Sequence, residues 1–249
     1  MTAPVFVVPT ERLATAAPGV VVRLDGAEGR HAVAVKRLEV GEPVTLTDGL
    51  GLGGRGTVSA LHGKDALDVA LTGLHAEPAP AARLVVVQAL PKGDRGELAV
   101  ETMTEVGVDV VVPWAAARCI TQWKGERGTK ALAKWRSTAR EAGKQARRLR
   151  FPEVRDPVTT RQLLPLLTGA AFAGVLHEEG AEALATTALP ATGDLVLVVG
   201  PEGGISPEEL AAFGTAGARP YRLGPSVLRT STAGVAAGAV LLARTGRWG

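Results

Sequence analysis

The hydrophobic and polar positions change rhythm once along the chain. Over the first 73 residues, short β-branched or apolar runs recur at Val5–Val8, Val20–Leu24, Val44–Thr47, Gly56–Leu61 and Leu67–Leu71, punctuated by Gly, Pro and Asp. Runs at such regular spacing predict a small β-barrel, interrupted by one helix near Glu28–Leu38. The Pro/Ala-rich stretch 75–82 reads as a linker. Beyond it, apolar strands alternate with helices. Strands are predicted at Leu84–Ala89, Val108–Val112, Ala171–Leu176, Leu195–Gly200 and Arg219–Leu223, and helices near Glu97–Val106, Thr129–Leu149 and Thr232–Arg244. In the longest helix, Leu132, Trp135, Ala139, Ala142, Ala146 and Leu149 recur at steps of three and four, an amphipathic stripe. This alternation predicts an α/β fold, a mostly parallel sheet covered by helices on both faces. The expected domains are a barrel over 1–74, a linker over 75–82 and an α/β domain over 83–249.

Length and composition narrow the classes. A chain of 249 residues with 46% hydrophobic and 21% charged positions has a globular balance and enough length for a real core. Its apolar runs are too short to span a membrane, and Met-Thr-Ala-Pro-Val carries no secretion signal. The chain is therefore expected to be cytoplasmic. One cysteine, Cys119, excludes an internal disulfide and a thiolate metal cluster. The four histidines (His31, His62, His75 and His177) have no ligand or triad spacing, so no metal is expected.

The net charge of +3 hides an asymmetry. Residues 118–150 hold eleven Lys and Arg against Glu126 and Glu141, a net +9, which leaves −6 for the rest. Clustered positive charge on one element is the footprint of a polyanion site. Arg118, Lys134, Arg136, Arg140, Lys144, Arg147 and Arg148 are thus candidate nucleic-acid contacts. Glu97, Glu101 and Glu105, at i, i+4 steps, read as one solvated helix face.

Two glycine loops carry candidate chemistry, and a third is a decoy. Gly49-Leu-Gly-Leu-Gly-Gly54 matches a dinucleotide fingerprint, but a strand follows it rather than a helix, so it reads as a hairpin turn. In Leu195–Glu209 a buried strand runs into Gly200-Pro-Glu-Gly-Gly204, and Ser206, Pro207 and Glu209 announce the next helix with a cap, a first-turn proline and a capping box. No Lys-Ser/Thr follows, which excludes a nucleoside-triphosphate P-loop. The second loop, Tyr221–Thr232, joins a strand to the last helix. Two such loops at neighbouring strand ends would form a cleft rich in free backbone N–H groups, suited to a neutral or zwitterionic cofactor. No nucleophile elbow is present, and of the histidines only His177 ends a strand near that cleft.

Together these segments resemble a known family. Val199-Gly-Pro-Glu-Gly-Gly-Ile-Ser206 and Leu223-Gly-Pro-Ser-Val-Leu-Arg-Thr230 resemble signature loops of the RsmE family, as do Pro91–Arg95, Thr104–Gly107 and Arg140–Gln145. These are SPOUT-superfamily methyltransferases acting on uracil N3 in 16S ribosomal RNA. The resemblance implies a trefoil-knotted sheet with a PUA-like N-terminal barrel and a homodimer. It also implies S-adenosyl-L-methionine as cofactor, held by Leu176, His177, Glu178, Gly200, Pro201, Gly203, Gly204, Leu223, Gly224, Val227 and Leu228. Arg30–Leu38 is similar to the family's N-terminal stretch and adds Arg30, Lys36 and Arg37 to the candidate RNA contacts. Ser231 and Ala146 depart from the family's commoner Glu and Ser. The expected catalytic pair is Arg229, which would stabilise charge building on the ring oxygens, and Glu202 as candidate base. Two other readings stay open: a SPOUT enzyme with another RNA target such as a ribose 2′-hydroxyl, and a non-catalytic RNA-binding assembly factor.

Overall fold

The computed structural model describes residues 3–248; Met1, Thr2 and Gly249 lie outside it. The chain divides into two compact units, one of residues 1–79 with 143–151, the other of 80–142 with 152–249.

The first unit holds β1 (Val5–Val7), α1 (Glu11–Ala14), β2 (Val21–Leu24), α2 (Gly26–Arg30), β3 (Pro43–Thr47), β4 (Leu52–His62) and β5 (Ala66–Ala76). Its five-stranded sheet runs β1-β3-β4-β5-β2, antiparallel except for the β1–β3 pair. Alternation in these strands turns Phe6, Leu24, Leu46, Leu67 and Val69 inward, and all are essentially inaccessible. The helix expected near Glu28–Leu38 is instead α2 followed by a π-helical turn, His31–Val35, after which Arg37 takes φ 55°. The Gly49–Gly54 decoy is the β3–β4 turn, with positive φ at Gly49 (75°) and Gly51 (114°) where a side chain would be strained. The linker is shorter than composition implied: His75 and Ala76 end β5, and Ala82 opens the next strand.

The second unit begins with β6 (Ala82–Ala89), α3 (Arg95–Val106) and β7 (Val110–Ala115). Helix α4 (Gly125–Gln145) follows, then β8 (Glu153–Val154), β9 (Val158–Thr159), α5 (Thr160–Thr168) and β10 (Phe172–Leu176). The chain finishes with β11 (Glu182–Ala183), β12 (Gly193–Val199), α6 (Pro207–Thr215), β13 (Arg219–Arg222) and α7 (Thr230–Arg244). The sheet order is β11-β13-β10-β12-β6-β7-β8, with β9 also on β7, and every pair is parallel. Both faces are covered. Leu84 and Val86 point into one core with Trp135, Leu195 and Leu241, while Val85 and Val87 point into the other with Trp114, Val196 and Phe213.

Helix α4 starts four residues before its expected first residue and stops four before its expected last. The stripe Leu132, Trp135, Ala139 and Ala142 is buried as the spacing required. The helix closes because Arg147 enters the left-handed region (φ 57°) and the Arg148 N–H turns back to the Gly143 carbonyl at 3.0 Å. Composition also hid α5, since Pro165 lies inside it, although Thr159 and Gln162 form a complete capping box.

Candidate functional site

Strands β13, β10 and β12 are adjacent and parallel, so the loops leaving their carboxyl ends emerge on one edge of the sheet. The chain leaves β12, makes α6 and returns at β13 on the far side of β10. Ligands of open parallel sheets lie in a crevice beyond such strand ends. Here the three loops enclose a cleft of about 1150 Å³.

Each loop is held by local chemistry. After β10, the His177 N–H still pairs with the Tyr221 carbonyl (3.0 Å), and its Nδ1 accepts from the Glu179 N–H (3.2 Å). After β12, the Gly204 N–H closes a turn on the Pro201 carbonyl (2.9 Å), and Gly204 has φ 73°, a left-handed conformation that glycine adopts freely and that strains larger residues. The turn hands over to the capping box of α6. Ser206 Oγ accepts from the Glu209 N–H, and Glu209 Oε2 accepts from the Ser206 N–H at 3.1 Å. After β13, the backbone runs exposed from Gly224 to Arg229 before Thr230 opens α7.

All eleven residues expected to hold a cofactor line this cleft: Leu176, His177, Glu178, Gly200, Pro201, Gly203, Gly204, Leu223, Gly224, Val227 and Leu228. Arg229 and Glu202 line it too. Arg229 is exposed, and among the described residues no ion pair ties down its guanidinium. Glu202 accepts a hydrogen bond from the Lys92 N–H at 3.1 Å, a contact that orients the 91–95 loop. Sequence reading missed Arg95 and Arg222, which with Arg118 and Arg229 give the cleft four guanidinium groups against Glu178 and Glu202. Arg118 donates to the Gly203 carbonyl at 3.2 Å.

It also missed the reach of Glu209. Beyond the capping box, its buried carboxylate accepts from the Ala117 N–H and the Thr160 hydroxyl, each at 2.8 Å. One anion thereby ties the start of α6 to α5 and to the loop bearing Arg118. No sequence spacing signals that contact. Behind the same loop, Cys119 is half-buried and makes no disulfide; desolvation pushes its thiol pKa up, away from the nucleophilic range.

The candidate RNA contacts divide between the two units. Arg30, Lys36, Arg37, Lys144, Arg147 and Arg148 belong to the first unit, and Arg118, Lys134, Arg136 and Arg140 to the second. Arg30, Lys36, Arg37 and Arg147 are exposed. Lys134 pairs with Glu97, and Arg136 pairs with Asp156. Arg140 and Arg148 are both engaged in interactions of their own. Lys144 must be withdrawn from the set. It is buried, and its ammonium meets Glu28 at 3.1 Å, so its charge is spent inside the first unit. Among the described residues no cluster of His, Cys, Asp or Glu could hold a metal ion, and no helix is long and apolar enough to cross a membrane.

The family model described as RNA methyltransferase domain matches residues 77–242, and the RNA methyltransferase PUA domain matches 24–72. Ribosomal RNA small subunit methyltransferase E from Mycobacterium tuberculosis is 44% identical over 92% of the chain and 89% of its own length, and the Mycobacterium bovis protein of that name gives the same figures. The structure of Ribosomal RNA small subunit methyltransferase E from Neisseria gonorrhoeae bound to S-adenosyl methionine is 26% identical, covers 98% of each chain and superposes with a TM-score of 0.85.

Proposed function

The chain belongs to the ribosomal RNA small subunit methyltransferase E family, and on that premise we propose that it methylates N3 of a uridine in 16S ribosomal RNA, with S-adenosyl-L-methionine as donor. The observation that carries this reading is the convergence of three sheet-edge loops on one cleft with a bare glycine floor and an arginine rim.

The cleft suits the cofactor. Leu176, Leu223, Val227 and Leu228 offer apolar contact for a nucleoside, the free backbone of the glycine loops offers hydrogen bonds, and Glu178 and Glu202 offer negative charge toward a cationic ligand. At about 1150 Å³ the space exceeds the roughly 300–1,000 Å³ of ordinary small-molecule sites, which leaves room for a nucleotide beside the cofactor. When bound, the cofactor supplies the electrophilic methyl, so the protein has only to bind, orient and manage charge.

The neutral imide of uracil is a poor nucleophile, so its N3 proton has to leave. Negative charge then collects on the flanking ring oxygens. Arg229, exposed at the start of α7 on the cleft wall, would stabilise it and cannot act as base. Glu202 is the carboxylate available to take the proton, although one of its oxygens already serves the Lys92 N–H. The target base has to be unstacked to enter. Arg95, Arg118 and Arg222 on the cleft wall would meet the phosphates around it. The knotted threading of the loops, a homodimeric state, the assembled small subunit as substrate and a cytoplasmic location belong to the same reading.

Calorimetric titration with S-adenosyl-L-methionine, followed by nucleoside analysis of small-subunit RNA after incubation, tests it. Micromolar binding and N3-methyluridine as product are expected. A 2′-O-methylated product would reassign the target, and no binding at millimolar cofactor, with or without RNA, would favour an assembly factor. Arg229→Ala is expected to lower kcat about 10²- to 10³-fold, the usual cost of removing one preorganised charge-stabilising donor.

A further inference from the structure

Beside the cofactor cleft lies a second, smaller cavity of about 340 Å³ in the same unit. Two segments build both. The loop after β6 and the start of α3 give Arg95 to the cleft and Pro91, Gly93 and Glu97 to the cavity; the loop after β7 gives Arg118 to the cleft and Gln122 and Trp123 to the cavity. The Thr121 hydroxyl donates to the Pro91 carbonyl at 2.9 Å and locks the two segments together.

The lining is unlike that of a structural void. Trp123 is half-buried and stands edge-to-face on Trp135, with ring centroids 4.9 Å apart. That geometry fixes the indole of Trp123 at the cavity wall without a flexible stem. Glu97 behaves differently from its helix neighbours Glu101 and Glu105, which are exposed. Its Oε1 pairs with Lys134 at 3.1 Å, while Oε2 is shielded from solvent and has no hydrogen-bond partner. A shielded carboxylate oxygen without a donor is costly, and such groups are nearly always satisfied. Arg127 completes the lining, and Lys124 adds a cation to the same loop.

Resting on the RNA methyltransferase reading, we infer that this cavity takes an unstacked nucleobase of the RNA substrate, a neighbour of the target uridine. The base stacks on Trp123 and donates an N–H to the carboxylate of Glu97, which lines the cavity, and Arg127 and Lys124 meet its phosphates. An aromatic platform set among cations is how single-stranded nucleic acid is held, and a carboxylate acceptor adds readout of a base edge. Because the two segments line both cavities, a base seated here holds the strand in register for the cleft next door.

The test uses the full chain with a fluorescein-labelled single-stranded uridine octamer, followed by anisotropy, alongside methyl transfer to small-subunit RNA. Trp123→Ala is expected to weaken octamer binding about tenfold, the usual effect of losing one base stack, and to raise KM for RNA by a similar factor with kcat held. Trp123→Phe, which keeps an aromatic face, restores both. Ala131→Phe fills the cavity from α4, one turn before Trp135, while keeping both tryptophans, and is expected to act like Trp123→Ala. It guards against a Trp123→Ala variant that fails to fold. Calorimetry with S-adenosyl-L-methionine stays unchanged in all three. Wild-type octamer affinity and KM in a folded Ala131→Phe variant would overturn the proposal. Loss of cofactor binding in the unmodified chain would instead strike the methyltransferase reading, and the octamer titration would still judge the cavity.

Discussion

The Thr230 hydroxyl donates to the Gly200 carbonyl at 2.7 Å and accepts from the Gln88 side-chain amide at 3.1 Å. Three segments meet in that chain: the carboxyl end of β6, the floor of the β12 loop and the first residue of α7. The two glycine loops of the cleft are thus joined by one buried hydroxyl rather than set independently by their own turns. Thr230→Val, nearly the same volume, removes the donor and leaves the Gly200 carbonyl and the Gln88 amide each short of a partner. The expected loss is about 1 kcal/mol of stability in urea unfolding together with weaker cofactor binding by calorimetry. Thr230→Ser, which keeps the hydroxyl, is expected to recover the affinity.

Gly203 offers a sharper test of the cleft. A Cβ built there would lie 3.2 Å from both the Cβ and the carbonyl oxygen of Arg118, which also lines the cleft, so a large side chain crowds the cleft wall. Gly203→Trp is expected to weaken S-adenosyl-L-methionine binding at least about 100-fold, a change of roughly 2.7 kcal/mol. Thermal unfolding should move by no more than a few degrees, since the loop is exposed. An unchanged Kd would place the cofactor elsewhere.

Glu209 is expected to matter for stability more than its helix-capping role implies. Its carboxylate serves Ala117, Thr160 and Ser206 from a position only 5% exposed. Glu209→Ala strips an anionic acceptor from three donors and should cost about 3 kcal/mol in chemical denaturation. Glu209→Gln, which retains one good acceptor, should cost clearly less.

Stability should also respond to acid through one identifiable pair. Arg83 donates to both oxygens of Asp194 at 2.8 Å and holds that carboxyl below the usual carboxylate range. A carboxyl whose folded pKa is depressed contributes fully above its unfolded value and loses that contribution as pH falls through the folded value. Both partners are partly solvent-exposed, so the contribution is about 0.5–1 kcal/mol after screening. Asp194→Asn should therefore be less stable than the unmodified chain at pH 7. The gap should shrink once the pH drops below about 4. A gap independent of pH would assign the effect to packing instead.

The fold was legible where one physical signal dominated. Strands buried on both faces, such as Leu84–Val87 and Leu195–Val199, announce themselves as continuous apolar runs, and Ser206–Glu209 writes its capping box in four letters. The glycine loops were legible for the same reason, because bare backbone at a strand end has few other uses. The end of α4 was not, because the stripe through Ala146 and Leu149 continues in register past a stop that depends on the left-handed backbone of Arg147. Charge misled in a different way. Lys144 sits among ten other cations in sequence, yet its partner Glu28 lies 116 residues away, and no local pattern encodes such a pairing. Arg222 and the outer reach of Glu209 were invisible on the same account: their importance is tertiary.

The segment 143–151 closes the first unit from a distance. Leu149 lies against Gly53 and Phe151 against Gly49, the Leu149 carbonyl accepts from Thr47 Oγ and from the Gly51 N–H at 3.0 Å, and Arg150 donates to the Glu77 carbonyl at 2.9 Å. A nascent chain emerging from the ribosome therefore cannot finish its first unit when residue 79 appears; it has to wait for residue 151, by which point β6, α3, β7 and α4 are already synthesised. The two units mature as interleaved rather than successive folding events, and the N-terminal sheet is not a cassette that recombination could lift out by its leading residues alone.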